Sequence, residues 1–211
     1  MVVHVGRMVK FTILTHYPEN IGGRLNVVLD NSVEAWNERA RQAQTPWEAA
    51  SFSEYSQVAR YDTVAKYLKI GDWPGNSVLD WGCGFGRFVD WVSPEFTYCG
   101  YDHSPEMVAR AKELYPKCKF ASDVKELELG YDHIVAIGVW TLASAFTYLN
   151  ELTWLWDRAR KSLIACLYRG TDKRCTKSDP IAVVALANSL TNKWLIDATY
   201  LPNDFLVAMY K

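Results

Sequence analysis

A chain of 211 residues is long enough for one domain with a substantial core, and no linker or repeat divides it. Lys and Arg number 23 against 24 Asp and Glu, a formal charge of −1, which argues against a nucleic-acid or anionic-membrane partner held by charge. The five cysteines are odd in number and lack metal-type spacing, which excludes a disulfide framework and a cysteine metal site and fits free thiols in a reducing cytoplasm.

Near the N-terminus His4, Arg7 and Lys10 interrupt the apolar run, unlike the continuous core of a signal peptide. Two β-rich runs around the turn formers Pro18 to Gly23 predict a hairpin, so residues 1–30 read as an extension and 31–211 as the main domain. Helices come next. Asn31 with Glu34 and Thr45 with Glu48 form capping-box pairs, the second strengthened by Pro46 at the first helical position. A third helix over 53–69 carries Val58, Tyr61, Val64, Ala65 and Leu68 at helical spacing, and GDWPGN (71–76) then breaks the chain.

The stretch SVLDWGCGFGRFVD (77–90) packs a short strand ending at Asp80, a turn with Gly82, Gly84 and Gly86, and the start of a helix. Phe96 to Tyr101 reads as a second strand, with Asp102 at its end. A third strand, Lys119 to Ala121, ends at Ser122 and Asp123, and a fourth spans Tyr131 to Gly138 with Val139, Trp140 and Thr141 at its tip. The uncharged run to Asn150 divides into strand, turn and helix and is core, not a membrane span. A helix over 149–160, a fifth strand over 162–168, a helix over 179–190 and a hairpin of 194–201 with 205–210 complete the chain. Strands alternating with helices predict an α/β, doubly wound, Rossmann-like sheet, whose ligands lie beyond the carboxyl ends of the strands.

Two nucleotide cofactors suit a strand, glycine turn and helix. The dinucleotide fingerprint fails, because Arg87 or Val89 stands where its third glycine belongs, and no Walker P-loop is present. The pattern from Asp80 to Gly86, D-x-G-x-G-x-G, resembles motif I of the class I S-adenosylmethionine-dependent methyltransferases. YDHSPEMVARAKELYP, from Tyr101, resembles the family's second motif, and Asp102 lies about 20 residues after Asp80, the separation at which an acid meets a ribose. The resemblance covers roughly 31–211. It implies a seven-stranded sheet with an antiparallel C-terminal hairpin, cover helices over 31–70, and S-adenosylmethionine as cofactor.

The resemblance also implies a cofactor site. Gly82, Cys83, Gly84 and Gly86 would pass under the methionine part, with Asp80 at its amino group and Asp102 on the ribose hydroxyls. His103 and Met107 would flank the adenine, with Ser122, Asp123 and Val124 at its rim and Gly138 beneath the fourth strand tip. In the trans-aconitate-methyltransferase-like relatives an arginine of the cover reaches the cofactor carboxylate, and Arg60 stands at a similar place. Trp140 and His103 are the candidate catalytic residues, Trp140 by facing the transferring methyl. Methyl transfer needs a general base only if the acceptor must lose a proton. VWTL at the fourth strand tip is not the Asp/Asn-Pro-Pro-aromatic motif of base-amino methylating enzymes, and no Pro-Cys cytosine motif appears. Trp36, Trp47 and Tyr55 are candidates for an aromatic pocket, and Arg169 for an anionic acceptor. A small-molecule acceptor is therefore expected. The alternatives are a nucleic-acid or protein acceptor, or an inactive cofactor-binding subunit; no metal is expected, and the oligomeric state stays open.

Overall fold

The computed structural model describes residues 32–50, 53–68, 76–142, 145–172, 175 and 177–211. The hairpin expected over 1–30 lies outside them. Three helices, α1 (Val33–Gln42), α2 (Pro46–Ala49) and α3 (Glu54–Leu68), precede a seven-stranded sheet. The strands are β1 (Asn76–Trp81), β2 (Phe96–Tyr101), β3 (Lys119–Ala121), β4 (Tyr131–Ile137), β5 (Ala159–Tyr168), β6 (Lys193–Asp197) and β7 (Asp204–Tyr210), in the order β3-β2-β1-β4-β5-β7-β6. The first five strands run parallel, while β7 inserts antiparallel between β5 and β6. The remaining helices are α4 (Pro105–Leu114), α5 (Ala145–Arg158) and α6 (Pro180–Leu190). No helix among the described residues is long and apolar enough to cross a membrane.

The alternation of side chains along each strand builds two cores. Leu79, Cys99, Ile134 and Leu163 face α5 and α6, whereas Val78, Tyr98, Val135 and Ile164 face α3 and α4. Capping fixes where the helices begin. Ser104 Oγ accepts the Met107 N–H ahead of Pro105, and Asp179 Oδ1 accepts the Ile181 N–H ahead of Pro180. Thr45 caps α2 as expected, at 3.4 Å from the Glu48 N–H, but the Glu48 carboxylate reaches back one residue farther, to Gln44 N at 2.8 Å.

Several boundaries differ from the sequence reading. The cap of α1 is Ser32, whose Oγ takes the Ala35 N–H at 3.2 Å, while Asn31 lies outside the described residues. The helix expected after the glycine turn is one short 3₁₀ segment, Arg87–Trp91, and Pro94, which disfavours helical backbone at Ser93, stands just past its end. The helix α5 begins at Ala145 and β5 at Ala159, both ahead of expectation, and β6 stops at Asp197, whose carboxylate takes the Thr199 N–H and hydroxyl and turns the chain.

One buried group makes stability depend on pH. His133 is 2% exposed, with Nδ1 2.7 Å from Ser162 Oγ, and burial together with the nearby Lys161 lowers its pKa to about 4, against an opposing pull from Asp132. Between pH 6.5 and 4 the unfolded chain takes up a proton that the folded chain refuses, so this stabilising difference, present above pH 6.5, is lost as pH falls, by on the order of 3 kcal/mol. Asp80, with its pKa raised to about 7, acts in the opposite sense over an overlapping range. The comparison of wild type with His133→Gln isolates the histidine, since Asp80 is common to both. In urea melts, the stability difference between them should shift by about 3 kcal/mol between pH 7 and pH 4. Parallel pH curves would contradict this.

Candidate cofactor and acceptor site

The site begins where β1 and β2 end. Gly82 N and Cys83 N both donate to the Tyr101 carbonyl, at 2.7 and 2.9 Å, and Gly86 N donates to the Cys83 carbonyl at 2.9 Å. These bonds fold the turn back over β2. Gly84 has φ +54°, and a Cβ placed there would meet nothing within 4 Å, so the turn presents bare backbone to open space.

Asp102 closes the turn from the side. Its Oδ2 accepts the Gly84 N–H and its Oδ1 the Ser104 N–H, both at 2.9 Å, which fixes the carboxylate plane at the end of β2. Burial raises its pKa above the ordinary carboxylate range, and the two amides and His103 oppose that shift. His103 Nδ1 lies 3.9 Å from Asp102 Oδ1, and its ring stands edge-on to Trp36 with centroids 6.3 Å apart.

The cover supplies the opposite wall. The helix α1 is tied to the start of α4 by Asn37, whose Oδ1 accepts from Ser104 Oγ at 2.6 Å, and by Arg41 paired with Glu106 at 3.0 Å. On α3, Gln57, Arg60 and Tyr61 follow helical spacing and line one face of the space. Between cover and turn lies a cleft that is partly open to solvent.

Of the residues expected to form the site, the structure gathers Arg60, Gly82, Cys83, Gly84, Asp102, His103, Met107 and Gly138 around this cleft. Arg60 is not freely presented to a ligand: its Nε pairs with Asp204 Oδ2 at 2.6 Å, and both side chains are buried. Four expected contacts stand back from the lining. Gly86 packs against Phe120, so its role is to let the turn approach β3, and Ser122, Asp123 and Val124 lie at the β3 end, where Asp123 Oδ1 accepts the Lys125 N–H at 2.9 Å.

Two further expectations are corrected by geometry. Asp80 was expected at the cofactor amino group, but its side chain turns beneath the glycine turn and is 3% exposed. There Oδ2 accepts the Tyr98 hydroxyl at 2.7 Å and burial raises the pKa to about 7. Trp140 was expected to face the acceptor. It is instead 3% exposed in the α5 core, with Nε1 donating to Glu151 Oε2 at 2.6 Å, the oxygen that Trp81 Nε1 also reaches at 3.4 Å. Of the aromatic candidates, Trp36 lines the cleft, Trp47 packs behind it on Arg87, and Tyr55 is 60% exposed. Arg169 bonds the Ala198 carbonyl and does not line the cleft. The sequence reading missed Gln57 and Arg87. A polar residue one turn before Arg60 on the buried face of α3 was the visible signal for the first.

Residues 78–171 match a family model described as a methyltransferase domain. That stretch, a little under half of the chain, is similar to a methyltransferase domain. No curated protein is similar to it in sequence. Solved structures share the fold over most of its length. Magnesium protoporphyrin IX methyltransferase (ChlM) from Synechocystis PCC 6803 with bound SAH is 17% identical at a TM-score of 0.63, over 83% of this chain and 92% of its own. The N-methyltransferase NodS from Bradyrhizobium japonicum WM9, in complex with SAH, is 16% identical at 0.66, over 86% and 99%. The plantazolicin methyltransferase BpumL, in complex with a pentazolic desmethylPZN analog and SAH, is 15% identical at 0.60, over 85% and 98%. The domain match and these folds agree with the class I methyltransferase reading of motif I and with the seven-stranded sheet. No group of His, Cys, Asp or Glu among the described residues could hold a metal ion.

Proposed function

We propose that this chain transfers a methyl group from S-adenosylmethionine to a small-molecule acceptor. The observation that carries the reading is Asp102, a carboxylate at the end of β2 bonded to the Gly84 amide and facing a covered cleft. The residues fit the cofactor: an open cradle at Gly84, a carboxylate beside it for two ribose hydroxyls, and aromatic and apolar walls for a base. Bound there, S-adenosylmethionine would supply an activated methyl on a sulfonium, so the protein's task is orientation and exclusion of water.

In this reading Gly82, Cys83 and Gly84 hold the methionine part, while Asp102 holds the ribose. Met107 and His103 border the base, and Arg60, steadied by Asp204, stands on the side of the cofactor carboxylate. His103 lines the cleft and offers an imidazole that can accept a proton from an acceptor that must lose one. Asp80 and Trp140 act as supports of the turn and of the fourth strand tip. The small-molecule assignment is supported by the near-neutral charge and by a cleft that α1 to α3 roof over. The NodS, ChlM and plantazolicin neighbours, by their names, are consistent with such acceptors. Five free cysteines support a reducing cytoplasm as the compartment.

The test is incubation of the chain with methyl-labelled S-adenosylmethionine and size-separated cell extract. Label should appear in the low-mass fraction. Label confined to RNA or protein would overturn the acceptor assignment, and cofactor binding with no transfer to any fraction would overturn catalysis.

A further inference from the structure

Arg87, the residue after the last glycine of the turn, makes contacts that neither cofactor cradling nor core packing requires. Its guanidinium lies between two indoles, 4.8 Å from the Trp47 ring centroid of α2 and 5.6 Å from that of Trp91 in its own 3₁₀ segment. Its Nη1 donates to Gln57 Oε1 at 3.0 Å and its Nη2 to Glu54 Oε1 at 2.8 Å, both on the first turns of α3. One side chain thus joins the glycine turn to both elements of the cover rim, and Arg87 and Gln57 themselves line the cleft.

The two ends of α3 are held differently. Its C-terminal half buries Tyr61, Val64, Tyr67 and Leu68 in the sheet core, and Trp91 Nε1 bonds Asp62 Oδ1 at 2.8 Å, so that half is fixed by packing. The helix α1 is tied separately to α4. The short α2 and the opening of α3 bury much less: Glu54 and Tyr55 are exposed, and α2 buries only Ala49 fully. A planar guanidinium that stacks and forks at once suits this place, because the same group supplies cation–π attraction and two directed bonds, which an ammonium cannot do together.

We propose that Arg87 is a positioning residue that latches α2 and the first turn of α3 over the cofactor and thereby sets how long the cofactor stays bound. This rests on the cofactor reading above. The latch acts through backbone and cover position, with no bond made or broken, and so it should govern dissociation more than encounter.

The test uses the full chain, S-adenosylhomocysteine as the probe, and two readouts. Stopped-flow fluorescence, with Trp47 and Trp91 beside the latch, gives the dissociation rate, and amide hydrogen exchange of residues 46–57 in the free protein reports the cover without any ligand. Arg87→Met keeps the apolar stem and removes the donors and the charge. It should speed dissociation about tenfold or more, while exchange over 46–57 rises and exchange over α4 stays unchanged. Arg87→Lys should fall between wild type and Met. Glu54→Gln, a change at an exposed residue that cannot unfold the chain, should speed dissociation by roughly twofold, as removal of an exposed ion pair allows. Unchanged dissociation, or unchanged exchange over 46–57, in a folded Arg87→Met protein would overturn the latch. Failure of wild type to bind the probe would overturn the cofactor reading instead, and the exchange data would still decide whether Arg87 holds the cover.

Discussion

Asp102→Ala is expected to weaken S-adenosylhomocysteine binding by about 2 to 4 kcal/mol, roughly 30- to 1,000-fold in Kd, with the chain still folded. Two losses combine. The carboxylate would accept both ribose hydroxyls of the ligand, and it also accepts the Gly84 and Ser104 amides that set the shape of the turn. Removal of a charged acceptor leaves those amides to water in a site only partly open. Asp102→Asn should lie close to Ala, because its amide group presents a donor where one of these N–H groups needs an acceptor. Titration calorimetry on both variants, with thermal melts as the folding control, checks this. An Asp102→Ala protein that bound like wild type would show that the end of β2 is not the ribose site.

Gly84→Val is expected to abolish binding while leaving the fold in place. At φ +54° a β-branched residue is strained, by roughly 1 to 2 kcal/mol, which a domain of this size can absorb. The new Cβ would meet no protein atom, so its bulk would enter the space reserved for ligand. Gly86 gives the contrasting outcome. A Cβ there would sit 2.7 Å from Phe120 Cε1, so Gly86→Ala should lower the melting temperature more than Gly84→Val does. Cofactor binding retained by a folded Gly84→Val protein would contradict the placement of the turn.

Much of this was legible from local pattern. Phe96–Tyr101 and Lys119–Ala121 appear with the expected bounds, because each is a short apolar run closed by a polar or turn-forming residue that cannot continue it. The spacing of Gly82, Gly84 and Asp102 pointed to the cleft that these residues line. What escaped was the direction of side chains whose partners are distant in sequence. Asp80 and Trp81 are neighbours on β1, yet alternation sends one under the turn to Tyr98 and the other to Glu151. Trp140 follows Gly138, where φ is +72°, and that reversal turns the indole into the α5 core, toward an acceptor supplied by Glu151. Arg87 was visible only as a mismatch to a dinucleotide fingerprint. Its partners Trp47, Glu54 and Gln57 lie upstream across a chain break in pattern, so only the folded cover brings them to it.

The central claim is that the turn from Asp80 to Gly86 and Asp102 form a site for S-adenosylmethionine and not for a dinucleotide. Calorimetric titration of the wild-type chain with S-adenosylhomocysteine and, separately, with NAD tests it most directly. The account predicts saturable binding of S-adenosylhomocysteine and none of NAD; tighter binding of NAD than of S-adenosylhomocysteine would contradict it.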